Sequence, residues 1–143
     1  GYYRDQTFMM AIGAMTIEQF FAGLYGVANG RMFATWLRSL NYLRNVCAHH
    51  SRLWNRNIVE QPKLPNSAEL PWVRIFENNT HARSRCFLQL CMLKHLMKVI
   101  HPNSTWWHKV LNHIKAFPQM GSLGLNHYGM GAPDDWETLW GSI

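Results

Sequence analysis

The segment RMFATWLRSLNYLRNVCAHHSRLWNRN, residues 31–57, decides the fold because its apolar side chains recur at helical spacing. The pattern predicts one long helix from about Arg31 to about Asn57. Asn29-Gly30, just before it, predicts a break from a preceding helix. We expect one stripe of the long helix to be buried. The residues of that stripe are Trp36, Leu40, Leu43, Cys47 and Trp54.

The opposite face of the predicted helix carries cationic and amide side chains. At about 100° per residue, these lie within about 40° of Asn45. We call them the cationic ridge: Arg38, Asn41, Asn45, His49, Arg52 and Arg56. Arg44 lies on its flank, but its long side chain can lean toward it. No carboxylate occurs from Arg31 to Asn57. The ridge is therefore either a solvated face that is cationic by chance or a surface that meets an anion.

Helical phase separates the two adjacent histidines. His49 follows Asn45 by four residues and shares its face, so the two side chains can cooperate. His50 points about 140° away from Asn45, toward the flank of the core. We predict that His49 is the reactive residue and that His50 is structural.

The rest of the chain also predicts helices, and no segment predicts a strand. We expect a helix over 4–26, in which Thr16 alternatively starts a second helix with Gln19 as its capping partner. Further helices are expected over about 80–100 and about 105–116, with a short last helix in PDDWETLW. The proline-rich stretch EQPKLPNSAELPW and the glycine-rich tail predict loops. The fold class is all-α.

Composition sets the broad class. A chain of 143 residues predicts a single domain, and a formal net charge of +6 favours a polyanionic partner. Its three cysteines form no Cys-x2-Cys pair, which fits a reducing cytosol. No long apolar run or charged leader is visible, so we expect a cytoplasmic protein that does not act at a membrane.

Other chemistries have weaker support in the sequence. Cys91 and His95 are one helical turn apart and could form half of a zinc site, but core packing is the better interpretation, and we expect no metal and no cofactor. The chain lacks a Gly-x4-Gly-Lys-Ser/Thr loop and a Gly-x-Ser-x-Gly elbow. ATPase and hydrolase functions of those types are therefore not indicated.

The cationic ridge suits phosphodiester cleavage. A neutral imidazole can take the proton of a ribose 2′-OH, and an imidazolium can protonate the departing 5′ oxygen. An arginine fork can hold the non-bridging phosphate oxygens. No step demands a metal when the RNA supplies its own nucleophile. Within the ridge, the residues predicted to bind RNA are Arg38, Asn41, Arg52 and Arg56.

Residues 44–49, Arg-Asn-Val-Cys-Ala-His, resemble the Arg-x4–6-His motif of HEPN-domain ribonucleases. The wider LRNVCAHHSRLWNRN is more specifically similar to Abi-like abortive-infection proteins of the AbiD and AbiF type. TWLRSLNYLRN before the motif, Asn78-Asn79 after the proline loop and MGAPDDWETLW near the end agree with that family. The resemblance covers about residues 8–140.

The resemblance implies an all-α HEPN-like bundle, here a single domain over residues 1–143. Because family members are about twice this length, the chain would be the C-terminal part of a longer protein. They also tend to carry an early acidic residue, for which Gly13 or Glu18 is the candidate position.

The implied activity is that of a metal-independent endoribonuclease toxin in phage defence. A homodimer would supply one histidine as base and the other as acid, and a partner RNA or protein antitoxin would neutralise it. Arg44 would bind phosphate, Asn45 would be the polar residue that orients its neighbours, and His49 would be the catalytic histidine. The alternative is a non-catalytic HEPN-like module that binds RNA or protein.

Overall fold

The computed structural model describes residue 27 and residues 29–143, and its elements are helical. They are α1 (Gly30–Ala48), a 3-10 helix (Pro71–Phe76), α2 (Thr80–Arg83), α3 (Cys86–Ile100), α4 (Trp106–Lys115), 3-10 turns at Gly121–Leu123 and His127–Met130, and α5 (Trp136–Ser142). Across these residues the extended pairing is one isolated bridge between Met120 and Leu125. The all-α prediction is confirmed. The helix predicted over 4–26, with Thr16 and the acidic candidates Gly13 and Glu18, lies outside the described residues.

Helix α1 begins where the sequence predicts its start. The side chain of Asn29 accepts hydrogen bonds from the backbone N–H groups of Arg31 (2.8 Å) and Met32 (3.2 Å). These bonds satisfy two donors that have no partner within the helix. The start of α1 after Asn29 is therefore confirmed, and the Asn29 side chain is its physical cause, while the helix predicted before it lies outside the described residues.

The end of α1 differs from the prediction, because the helix stops at Ala48 and does not continue to Asn57. His50 has φ of 54°, in the left-handed region. The N–H of His50 donates to the Cys47 carbonyl (3.0 Å), and the N–H of Ser51 donates to the Val46 carbonyl (3.1 Å). This pair of bonds is the Schellman motif, which satisfies the last carbonyls of a helix and reverses the chain.

Tertiary contacts explain why the following residues leave the helix axis. We call residues 49–58 the arm. The Trp54 indole N–H donates to the Asn126 carbonyl (2.7 Å), and its ring stacks on Phe117 at 5.5 Å between centroids. The Ile58 side chain is buried, and its N–H donates to the Ser84 carbonyl (2.8 Å). A continued helix would point away from these partners, so packing overrides the local pattern.

The core lies between α1 and α3 and is closed by α5. Gln89 of α3 donates to the Ser39 hydroxyl of α1 (3.0 Å), and both side chains are fully buried. Six large aromatic side chains belong to the same core: Trp36, Trp72, Phe76, Phe87, Trp136 and Trp140. The Lys94 ammonium donates to the Trp140 carbonyl and lies over the Trp140 ring. One face of α1 is thereby fixed to the core, which leaves the other face exposed.

Three further elements differ from the sequence prediction. The helix expected over 80–100 is divided at Ser84 and Arg85 into α2 and α3, and the Arg85 guanidinium donates to the Asn55 carbonyl of the arm. The proline-rich stretch ends in a 3-10 helix that contributes buried side chains to the core. The short last helix expected in PDDWETLW begins only at Trp136, and its N-cap residue Asp135 makes no side-chain cap bond.

Candidate functional site

The exposed face of α1 carries the first part of the predicted cationic ridge. Arg38, Asn41, Arg44 and Asn45 are all exposed, whereas Leu43 and Val46 on the other side are buried. Helical phase alone predicted these positions correctly. The four polar side chains therefore lie on a surface that a ligand can reach.

Arg44, Asn45 and His49 are all exposed at the C-terminal end of α1. The Arg44 guanidinium donates to the Asn45 side-chain oxygen (3.0 Å), which confirms that Arg44 leans toward the ridge. The N–H of His49 donates to the Asn45 carbonyl (3.0 Å) and so continues the helical ladder by one residue. His49 consequently stays one turn beyond Asn45, and its side chain is exposed.

Arg52 and Arg56 do not extend the helical ridge, because they follow the turn at His50. That part of the prediction is wrong, since the helical phase no longer applies beyond Ala48. The arm nevertheless returns Arg56 to α1, where its Nε–H donates to the Tyr42 hydroxyl (3.2 Å). Arg52 is exposed on the arm. The arm, rather than the helix, decides how these two cations face a ligand.

Tyr42 is a site residue that sequence reasoning missed. It precedes Asn45 by three residues, so both lie on neighbouring turns of the same side of α1. Its hydroxyl is the acceptor that holds Arg56 beside the helix. A phenol within one turn of the motif could have been noticed, but its partner is 14 residues away in sequence and only the fold brings it back.

His50 has a backbone role, and its predicted direction toward the core is wrong. The side chain is exposed, and the residue occupies the left-handed position of the turn. This conformation is unfavourable for residues other than glycine, although histidine is among those that adopt it more often. The structural role predicted for His50 therefore comes from its backbone conformation in the turn and not from burial of its side chain.

Cys47 and Trp54 also depart from the predicted buried stripe. Cys47 is exposed and Trp54 is half-buried. The stripe that α1 actually buries includes Phe33, Trp36 and Leu43 and then follows Val46 instead of Cys47. Because the helix ends two residues after Val46, its last turn has little core to cover.

The site is electropositive in the part of the chain that the structure describes. The ion pair formed among residues 29–143 joins Lys115 to Glu137 (3.5 Å). None of the arginines at the end of α1 or on the arm is therefore paired with a carboxylate of the described residues. Unpaired guanidinium groups on an exposed surface attract phosphate, both by charge and by their fork of donors.

The Cys91–His95 pair is part of the core. Cys91 is fully buried, and the His95 ring packs edge-on against Trp36 at 5.9 Å between centroids. Burial raises the pKa of the Cys91 thiol well above its ordinary value and that of Cys86 to about 12, which disfavours the thiolate that a metal needs. Within the described range, no group of three or more His, Cys, Asp or Glu side chains is placed to hold a metal ion.

None of the helices between residues 27 and 143 is long and apolar enough to cross a membrane.

The fold and the site define an all-α protein with an exposed Arg-Asn-x3-His motif at a helix end, beside a loop that supplies further arginines. Residues 6–55 match the model of the Abi-like protein family. The matched segment covers about a third of the chain and includes α1, the motif and residues 49–55 of the arm. The comparison with curated proteins and that with solved structures gave no significant match. Over this segment the chain is similar to Abi-like proteins, and the match contains Arg44, Asn45 and His49, while Arg56 lies just beyond it.

Proposed function

We propose that this chain is the endoribonuclease domain of a bacterial abortive-infection system and that it cleaves single-stranded RNA without a metal. The observation that carries the proposal is the placement of three exposed residues, Arg44, Asn45 and His49, at the C-terminal end of α1, within the segment that matches the Abi-like family. Abortive infection is the role that the family name suggests. The formal net charge of +6 suits a polyanionic substrate.

Arg44 is the phosphate ligand in this mechanism. Its guanidinium carries five N–H donors, of which the structure uses one on the Asn45 side-chain oxygen. This bond fixes the direction of the guanidinium plane and leaves other donors for the two non-bridging oxygens. Charge that grows on those oxygens in the transition state is then stabilised by a group that is already oriented.

His49 exchanges the protons. As a neutral imidazole it accepts the proton of the ribose 2′-OH, whose oxygen attacks the adjacent phosphorus. The bond from phosphorus to the 5′ oxygen breaks, and an imidazolium gives that oxygen a proton. The products are a 2′,3′-cyclic phosphate and a 5′-OH end.

A single histidine cannot be base and acid in the same step. We therefore propose a homodimer in which two copies of the Arg-Asn-x3-His motif share one cleft, with one His49 as base and the other as acid. The exposure of the motif at a helix end leaves it free to face a second copy. Arg38, Asn41, Arg52 and Arg56 then hold the flanking strand. A neutralising RNA or protein would act by covering this surface.

The test is cleavage of a labelled single-stranded RNA in the presence of a chelator. General acid–base catalysis contributes about 10²- to 10⁴-fold, so His49→Ala should lose activity in that range. Arg44→Ala should lose about as much, and Arg44→Lys should recover little of it, because a lysine lacks the fork. Product ends are identified by their response to phosphatase and kinase treatment.

His50→Gly and His108→Ala are the matched controls. The first removes the neighbouring imidazole while keeping the turn, and the second removes another exposed histidine on α4. Both should retain cleavage. Wild-type rates in His49→Ala and Arg44→Ala would contradict the mechanism. RNA binding that weakens with salt, without cleavage by the wild-type protein, would instead support the non-catalytic binding module.

Mixing experiments test the shared cleft. Adding a tenfold excess of His49→Ala protein to wild type and allowing subunits to exchange should lower the activity per wild-type chain, because mixed dimers lack either the acid or the base. Excess His108→Ala protein should not lower it. Activity that is independent of added His49→Ala protein would contradict a composite site.

A further inference from the structure

An exposed aromatic stack lies beside the arm, formed by His81 of α2 and Tyr128 of the glycine-rich tail. The two rings are parallel within 10°, and their centroids are 4.1 Å apart. Tyr128 is 63% exposed, and His81 is half-buried beneath it. Since His81 covers one face of the tyrosine ring, the exposure of Tyr128 belongs largely to the other face. The catalytic proposal does not use this pair.

The stack is held firmly on both sides. The Nε2–H of His81 donates to the Tyr128 carbonyl (2.7 Å), which fixes the imidazole plane under the phenol ring. The turn that carries Tyr128 is closed by the Asn126 side chain, which accepts from the Gly129 N–H (2.9 Å). An aromatic ring that is already immobilised loses little side-chain entropy when a ligand stacks on it.

The same turn is fastened to the arm. The Trp54 indole donates to the Asn126 carbonyl, and its ring lies so close to Gly129 that a Cβ there would overlap it. The arm is also bonded near α2, through Ile58 to the Ser84 carbonyl. Trp54 follows His49 by five residues, and five residues of extended chain span at most about 18 Å. The aromatic stack and the motif are therefore supported by one short scaffold.

The surroundings favour a nucleic acid strand. Arg52 and Arg56 are exposed on the same arm that carries Trp54, where they can meet backbone phosphates. Proteins that bind single strands combine such cations with aromatic faces on which bases stack. A duplex keeps its bases stacked internally and offers none of them to a protein ring.

We propose that the exposed face of Tyr128, backed by His81, is a stacking subsite for an unpaired base of the RNA strand that reaches the His49 site. This inference rests on the proposed function for the identity of the ligand. It adds that the strand is single-stranded over the arm and that one base is held by a ring rather than by hydrogen bonds to its edge.

Binding of a fluorescently labelled single-stranded RNA of ten nucleotides tests the subsite. The measurements use the His49→Ala background, so that the strand stays intact. Tyr128→Ala should weaken the affinity by roughly 5- to 150-fold, the range expected for loss of one base–aromatic stack. Tyr128→Phe should bind like the parent, while Tyr128→Leu should resemble Tyr128→Ala because it keeps apolar area but has no flat ring.

Two further readouts separate stacking from charge and from misfolding. The slope of log affinity against log salt should be the same for Tyr128→Ala and the parent, whereas Arg52→Ala should reduce it by about 1. The quenching of a 2-aminopurine base in the strand should be lost in Tyr128→Ala. Leu123→Ala, which removes a 67% exposed aliphatic side chain from the same tail, is the control for stability and should leave affinity unchanged.

Single-strand affinity unaffected in both Tyr128→Ala and Tyr128→Leu would overturn the subsite, and so would an absence of single-strand binding. Equal losses of single-strand and duplex affinity would also overturn it. The proposed function is judged separately, by cleavage with wild-type protein. Cleavage without any Tyr128 dependence of binding removes only the subsite, and Tyr128-dependent binding without cleavage removes only the ribonuclease.

Discussion

The body of α1, Gly30–Ala48, and the arm, residues 49–58, carry the same kind of sequence but adopt different structures. Both place an aromatic or aliphatic residue every three or four positions, with arginine and asparagine between them. In the body this pattern forms a helix whose apolar face packs on α3. In the arm the chain reverses at His50 and runs across the surface toward Ser84 and Asn126.

In the body of α1 the local helical preference and the tertiary contacts favour the same structure, whereas in the arm they favour different ones. Trp36 in the body reaches the core from a helix, and its indole N–H also finds the Lys63 carbonyl (2.8 Å). Trp54 in the arm finds its carbonyl partner and its stacking partner only after the helix has ended. A buried indole needs a partner for its N–H. The contacts of Trp54 therefore determine the path of the arm. As a consequence, Arg52 and Arg56 leave the face of α1 on which a continued helix would have placed them.

Removing Trp54 should break the arm and cause the largest change in stability. Trp54→Ala deletes a half-buried ring and leaves the Asn126 carbonyl without its donor, so we expect a loss of about 2–4 kcal/mol in the free energy of unfolding. Chemical denaturation measures the loss. Hydrogen exchange should show faster exchange of the arm amides, with the amides of the α1 body less affected.

Trp106→Ala is the matched control, since it removes another half-buried tryptophan, on α4. In Trp106→Ala the protection of the arm amides from hydrogen exchange should fall only as far as the free energy of global unfolding falls. Arm exchange that is the same in Trp54→Ala as in Trp106→Ala would show that the indole does not hold the arm.

Substitutions of His50 test whether the left-handed turn at this residue separates the body of α1 from the arm. The left-handed conformation costs a residue with a side chain about 1–2 kcal/mol, and a β-branched residue more. His50→Val should therefore lower the free energy of unfolding by about 1–2 kcal/mol. His50→Gly should leave it unchanged or raise it by up to about 1 kcal/mol. Thermal unfolding gives both values, and a more stable His50→Val protein would contradict the turn.

The smallest change is expected at Cys47, on the exposed side of the last turn of α1. Cys47→Ser should alter the free energy of unfolding by less than about 0.5 kcal/mol. In the native protein a thiol reagent should label Cys47, while the buried Cys86 and Cys91 react only after opening. Rapid native labelling of all the thiols would contradict this arrangement.

The buried thiol of Cys86 also predicts a pH dependence. Burial raises its pKa to about 12 in the folded state, so the folded protein keeps a proton that the unfolded chain loses near pH 9. The stability from this group is therefore present below pH 9 and is lost as the pH rises toward 12. Cys86→Ala should flatten that decline relative to wild type in denaturation curves, whereas Cys47→Ser should not.

Much of the site could be predicted from the sequence because it depends on a single helix. The exposed positions of Arg38, Asn41, Arg44 and Asn45 follow from a period of 3.6 residues and need no tertiary information. The start of α1 follows from the capping preference of Asn29. The proposed roles of these residues remain predictions that the experiments above test.

The residues whose positions the sequence predicts wrongly depend on contacts between distant segments. Arg56 lies at the Tyr42 hydroxyl because the arm turns back, and the interruption between α2 and α3 comes with a bond from Arg85 to Asn55. Neither contact leaves a periodic pattern. The His81–Tyr128 stack joins residues 47 positions apart, and no local signal connects them.

The sequence by itself determined the all-α class, the start of α1 and the face that presents Arg44 and Asn45, since these depend on interactions within a few residues. The tertiary structure alone decided where α1 ends, how the arm places Arg52 and Arg56, and that Tyr128 stands on His81. The physical reason is that the local interactions at a helix end favour continuing the helix or ending it by only a small free-energy difference. The half-buried Trp54, with its N–H bonded and its ring stacked on Phe117, contributes more free energy than those local interactions, and its partners lie in distant parts of the fold.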